Sequence, residues 1–192
     1  MRPEREPASP ERFAILDDGD TPVTLDPASG RIRLYGMAGV FAFPEFLLDL
    51  QVQLEKVSGK AAKGLLYRVA YLSGRRAAGI LGGAIGPIED SAALESRLLR
   101  FVDFVLLTGY GNLTFSVLEA GKAETEWSIQ DSVIADIHAP SKESVCHIYA
   151  GFLAGTMAGT LSRPVECIEN SCRARGDEAC VFRTRGTTMD PV

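Results

Sequence analysis

Residues 131–182 read DSVIADIHAPSKESVCHIYAGFLAGTMAGTLSRPVECIENSCRARGDEACVF. Ser141 is a helix-capping residue type, and beyond it Val145, Ile148, Tyr149, Phe152, Leu153, Met157 and Leu161 recur at the three- and four-residue spacing of a helix. Pro164 ends it, because the residue before a proline is pushed out of the helical region. Two short alternating stretches follow, Val165 to Ser171 and Ala179 to Arg183, joined by a turn at Arg175-Gly176-Asp177. A long helix feeding a hairpin is therefore the centre of the fold.

Upstream, the same chemistry repeats in another order. Leu113, Phe115 and Val117 alternate with polar neighbours, Gly121 turns the chain, and Trp127, Ile129 and Val133 continue a second strand. Before them come three helices. Phe46, Leu47, Leu50, Leu54 and Val57 form a stripe that starts at Pro44 and ends at Gly59. Ala61, Leu65, Tyr67, Val69 and Leu72 mark a second helix over 60–80, and Leu94, Leu98, Phe101, Val102, Val105 and Leu106 a third, capped by Asp90 or Ser91. The intervening Gly79, Gly82, Gly83, Gly86 and Pro87 lack the Lys and Ser/Thr of a phosphate loop and read as a hinge. Ile32 and Leu34 make a short strand, followed by a turn over 36–39. Helices segregated from antiparallel strands define an α+β fold, with the helices packed on an antiparallel sheet. The domain spans 30–186, after a flexible N-terminal arm over 1–29 and before a tail over 187–192.

The chain has 192 residues, 46% hydrophobic and 23% charged, enough to bury one core. A net charge of -5 gives no basic footprint for nucleic acid. The apolar stretches 77–88 and 148–161 are too short to span a membrane, and residues 1–10 do not read as a secretory signal, so a cytoplasmic protein is expected.

All four cysteines lie late in the chain, at Cys146, Cys167, Cys172 and Cys180. In a reducing compartment such clustering points to metal rather than to disulfides. Cys172 and Cys180 flank the tight turn. Cys167 and Glu169 share a strand face, so either could turn inward. Cys146 lies at the start of the long helix, where the helix dipole favours thiolate. Cys146, Glu169, Cys172 and Cys180 would tie helix to sheet through zinc; four buried thiols acting as small hydrophobes are the competing reading.

These residues carry a resemblance. Asp131-Ser132 taken as strand, Cys146-His147, the small residues Ala150, Gly151, Ala154 and Gly155, and Glu169, Cys172, Arg175, Gly176, Asp177 and Cys180 resemble the C-terminal half of the 4-vinyl reductase, or hydrocarbon-binding, domain family. That family shares its fold with haem-based nitric oxide sensors and vesicle-tethering subunits. The resemblance implies structural zinc on Cys146, Glu169, Cys172 and Cys180, contributing on the order of 10 kcal/mol to folding, and leaves Cys167 to the core or pocket. Aromatic-sensing regulators of the family bind their ligand with a His before the hairpin and a Trp on its second strand. Here those positions are Leu107 and Ile129, with Trp127 on the same face as Ile129. Loss of the His argues against phenol-like ligands, because an unpartnered buried hydroxyl is disfavoured by roughly 1–3 kcal/mol.

Three functions compete. In the first, Phe101, Val105, Tyr110, Phe115, Trp127, Ile129, Tyr149 and Phe152 line a pocket for a small apolar or aromatic molecule, making a sensor or carrier domain that works as a homodimer. The second is tetrapyrrole vinyl reduction or tetrapyrrole handling; against catalysis stand the lack of a dinucleotide or flavin motif and a supply of only two imidazoles, His138 and His147. The third is a ligand-free assembly module. Gly151, Gly155 and Gly159 make a smooth helix face, which is expected to pack on the domain's own sheet rather than on a second subunit.

Overall fold

The computed structural model describes residues 23–26, 28–34, 37–82 and 90–189. The expectation for residues 1–22 and most of the predicted hinge after Gly82 fall outside them. The chain separates into two units, Met1–Ala42 and Phe43–Val192, a boundary inside the span 30–186 that the sequence marks as one domain.

The first unit holds three antiparallel strands in the order β1 (Val23–Asp26), β2 (Arg31–Leu34), β3 (Met37–Gly39). The β1–β2 turn closes on Asp26, whose carbonyl accepts from Gly30 N at 2.7 Å and whose carboxylate accepts from Ala28 N at 3.0 Å. Gly30 sits at φ 68°, which a side chain would resist. β1 lies in the stretch predicted as an arm and β3 in the predicted turn; strands of three and four residues are too short to show a period.

The second unit is built on α1 (Pro44–Ser58), α2 (Ala61–Gly82), α3 (Ser91–Leu107), β4 (Leu113–Glu119), β5 (Glu124–Ile129), α4 (Val133–His138), α5 (His147–Leu161), β6 (Val165–Ser171) and β7 (Cys180–Gly186). Its sheet runs β4-β5-β7-β6, antiparallel throughout. Leu113, Trp127, Ile129, Val165, Cys180 and Phe182 are buried on the strands. α5 packs on β6 and β7 and also against α2, which explains its lack of a polar face. A Cβ on Gly151 would strike the carbonyl oxygen of Tyr67, one on Gly155 that of Tyr71, and one on Gly74 that of Phe152. The smooth glycine face therefore packs on α2 and not on the sheet.

Two local expectations are corrected. Val133 does not continue a strand: β5 ends at Ile129, and Ser132 Oγ accepts from Ala135 N at 3.1 Å to cap α4. Asp131 and Ser132 thus lie beyond the strand. Nor does Ser141 cap the long helix. Its hydroxyl accepts from Glu143 N at 3.1 Å in a local turn, and α5 begins after Cys146.

Candidate functional site

The structure gathers Cys146, Glu169, Cys172 and Cys180 so that their ligand atoms all lie within 4.8 Å of one another. Each comes from a different local device. Cys146 is the N-cap of α5. Glu169 ends the regular part of β6, whose register shifts between Glu169 and Ser171. Cys172 and Cys180 bracket a 3-10 turn, Arg173–Arg175, closed by Gly176 at φ 97°. Asp177 fixes that turn by accepting from Cys172 N at 2.7 Å.

Cys146 Sγ lies 3.9 Å from Cys172 Sγ and 3.6 Å from Cys180 Sγ. Tetrahedral zinc with bonds of about 2.3 Å to sulfur sets its thiolates about 3.8 Å apart, so the spacing suits such an ion. Glu169 Oε2 accepts from Cys146 N at 3.1 Å, while its Oε1 is buried without a hydrogen-bond partner. The protonation pattern agrees. Cys146, hydrogen-bonded to Cys172 and Cys180, has its thiol pushed up and holds theirs down to about 6 and about 7, while burial raises Glu169 to about 8. Four acidic donors this close cannot all ionise alone; a divalent cation removes that conflict. Cys167 stays outside the cluster, buried farther back on β6, with its N–H donated to Tyr67 Oη at 3.1 Å.

A second feature adjoins α5. A cavity of about 630 Å³ opens among the helices and the first hairpin. α1 contributes Leu47, Leu50 and Leu54, and α2 contributes Leu65, Leu66, Val69, Ala70 and Ser73. Phe104, Val105, Thr108 and Tyr110 come from α3 and the residues after it, Leu113 and Ile129 from the strands, and Ile148, Tyr149, Phe152 and Leu153 from α5. Tyr149 belongs to both regions. Its ring lines the cavity, its hydroxyl donates to the Tyr110 carbonyl, and it follows Cys146 by one helical turn.

Of the eight residues expected at a pocket, Val105, Tyr110, Ile129, Tyr149 and Phe152 line this cavity. Phe101, Phe115 and Trp127 do not. Phe101 and Trp127 are fully buried and meet edge to face at 5.8 Å; Phe101 also packs at 5.4 Å on Phe152, so they back the wall. Phe115 packs on Trp127 and lines a separate groove with Glu95 and Leu99. Leu107 is off the cavity too, which takes Thr108 instead. The α1 and α2 residues were missed because an amphipathic stripe looks the same whether it faces a core or a cavity.

Comparison with known proteins follows the same geography. Two uncharacterized proteins of Methanocaldococcus jannaschii, MJ0150 and MJ0745, are 44% and 43% identical over 39 and 42 residues, 20% and 22% of this chain. The chain spans 22% and 23% of the length of those relatives. Among solved structures, the phenol-responsive sensory domain of the transcription activator PoxR, bound to phenol, superimposes with a TM-score of 0.76 at 19% identity, covering 93% of this chain and 91% of that one. A trafficking protein particle complex subunit 3 from Naegleria fowleri, covalently bound to palmitic acid, gives 0.58 at 17%, covering 75% and 92%. A vinyl-4-reductase family protein of M. jannaschii gives 0.50 at 16%, covering 78% and 83%. At these identities the likeness is one of fold, and the fold is the α+β architecture expected from the sequence. Residues 125–185, which hold all four members of the Cys and Glu cluster, match the vinyl-4-reductase domain, the family that the sequence resembles.

Proposed function

We propose that this chain is a small-molecule-binding module, a sensor or carrier, that takes an apolar or aromatic ligand in the cavity beside α5. The observation that carries this reading is the lining. Leucine, valine, isoleucine, phenylalanine and tyrosine side chains dominate it, and among the described residues no Asp, Glu, Lys, Arg, His or Cys side chain lines it. A wall without an acid, base or nucleophile supports binding over catalysis. Structural zinc on Cys146, Glu169, Cys172 and Cys180 completes the proposal. There the ion would supply cross-linking, holding the start of α5 to the β6–β7 turn with its coordination closed.

A homodimer is part of the proposal. Phe46 and Val57 on α1 and Val69 and Leu72 on α2 are exposed, and large exposed apolar side chains on adjoining helices suit a covered face. A cytoplasmic location is part of it too. No described helix is long and apolar enough to cross a membrane.

Native mass spectrometry of protein purified gently from its host tests ligand, metal and subunit number together. The expected species is a dimer with one zinc per chain and an added organic mass. A zinc-loaded protein with no organic mass, and none acquired from aromatics, lipids or porphyrins, would replace this reading with an assembly role.

A further inference from the structure

The lining has two chemically different parts. α1 and α2 supply an aliphatic surface that includes Leu54. α3, the segment after it and α5 supply aromatic rings: Phe104 and Phe152 lie 6.2 Å apart with 29° between planes, and Tyr110 meets Tyr149 at 5.9 Å. A flat ring system suits this combination, because its face can stack on or meet the edges of aromatic rings while its other side contacts methyl groups.

Size and charge narrow the class. An apolar cavity of about 150 Å³ suffices for one benzene ring, so a single-ring phenol would occupy roughly a quarter of the 630 Å³ here. The polar atoms offer little to a charged group. The Tyr149 hydroxyl donates to the Tyr110 carbonyl, the Thr108 hydroxyl donates to the Val105 carbonyl at 2.6 Å, and Ser73 sits at an exposed position of α2. An ionised carboxylate drawn inside would meet no opposite charge and lose its water.

We infer that the cavity selects a neutral, planar molecule of about three or four fused rings, and discriminates against both single-ring phenols and ionised analogues of the same skeleton. This rests on the reading of the cavity as the ligand site. It differs from that reading in assigning selectivity to the missing charge and to volume, two properties that can be tested separately.

The probes are pyrene, 1-pyrenecarboxylate and phenol, titrated at pH 8 into the full metal-loaded chain. Pyrene fluorescence should saturate, 1-pyrenecarboxylate should bind on the order of a hundredfold more weakly, and phenol should fail to displace pyrene. Ala70→Phe, which fills the cavity from α2, should abolish the pyrene signal. Leu54→Lys, which places a cation in the wall from half-buried α1, should narrow the gap in favour of the carboxylate; unchanged melting curves establish that both variants fold. Equal affinity for the acid, or displacement by phenol, overturns this inference and leaves the ligand-site reading in place. Pyrene binding that persists in Ala70→Phe overturns the inference by putting the probe elsewhere. No binding of any of the three overturns both.

Discussion

Replacing Gly155 by Ala should destabilise the protein, although the same change in an unhindered helix stabilises it. By intrinsic propensity, alanine gains about 1 kcal/mol over glycine in a helix interior. Gly155 faces the Tyr71 carbonyl, main-chain rather than side-chain, so no rotamer change can relieve the added methyl. α2 and α5 would have to separate by roughly 1 Å, loosening the neighbouring contacts at Gly151 and Gly74 as well. Overpacking of this kind is worth about 3 kcal/mol at its upper range, leaving a net loss of about 2 kcal/mol. For a unit of this size that is a fall in Tm of about 4–8 °C. Gly64 is the internal control: it lies on α2, is exposed, and has nothing within 4 Å of an added Cβ. Gly64→Ala should raise Tm by about 2–4 °C. Circular dichroism melts at saturating zinc read both. A Gly155→Ala protein as stable as Gly64→Ala would refute the close approach of α2 and α5.

Cys172→Ser should lose the metal and the fold, as should wild-type protein held with a strong chelator; metal analysis beside circular dichroism checks this, and a folded, soluble, metal-free variant would end the structural assignment. Trp127→Ala should lower stability by about 3–5 kcal/mol, because the ring is fully buried between Phe101 and Phe115. Guanidinium unfolding measures it, and a loss below about 1 kcal/mol would contradict the burial. Ala70→Phe should leave Tm unchanged or higher while halting uptake of apolar probes; a large fall in Tm would show that the cavity has no room at that point.

The helices were legible where local signals and tertiary packing agree. Pro44 and Gly59 bound α1 as expected, and the Asp90 carboxylate accepts from Ala93 N at 2.8 Å at the head of α3. Ser141 shows the limit. It is a good capping residue, yet the chain there is held by contacts that local sequence does not encode: Cys146 N donates across to Glu169, 23 residues away. Ser132 shows the reverse, a cap overlooked because Ile129 and Val133 extended an apparent strand pattern. The cluster could be read because thiols and a carboxylate at these positions have few other uses together. The cavity could be read only from one side. Tyr149 and Phe152 stood out as aromatic, whereas Leu47, Leu54 and Leu66 carry no mark that separates a ligand wall from a packed core.

The close seam between α2 and α5 also governs the order in which this protein can be made. Tyr71 and Gly155, which meet across it, are 84 residues apart in the chain. At ribosomal rates of about 5–20 residues per second, α2 waits on the order of 4–17 s for the helix it packs against. During that interval Leu66, Ala70 and Tyr71, buried in the finished fold, have no α5 to cover them. A nascent chain stalled before residue 147 is thus the form most exposed to aggregation and to chaperone capture, and release of α5 from the exit tunnel is the event that closes it.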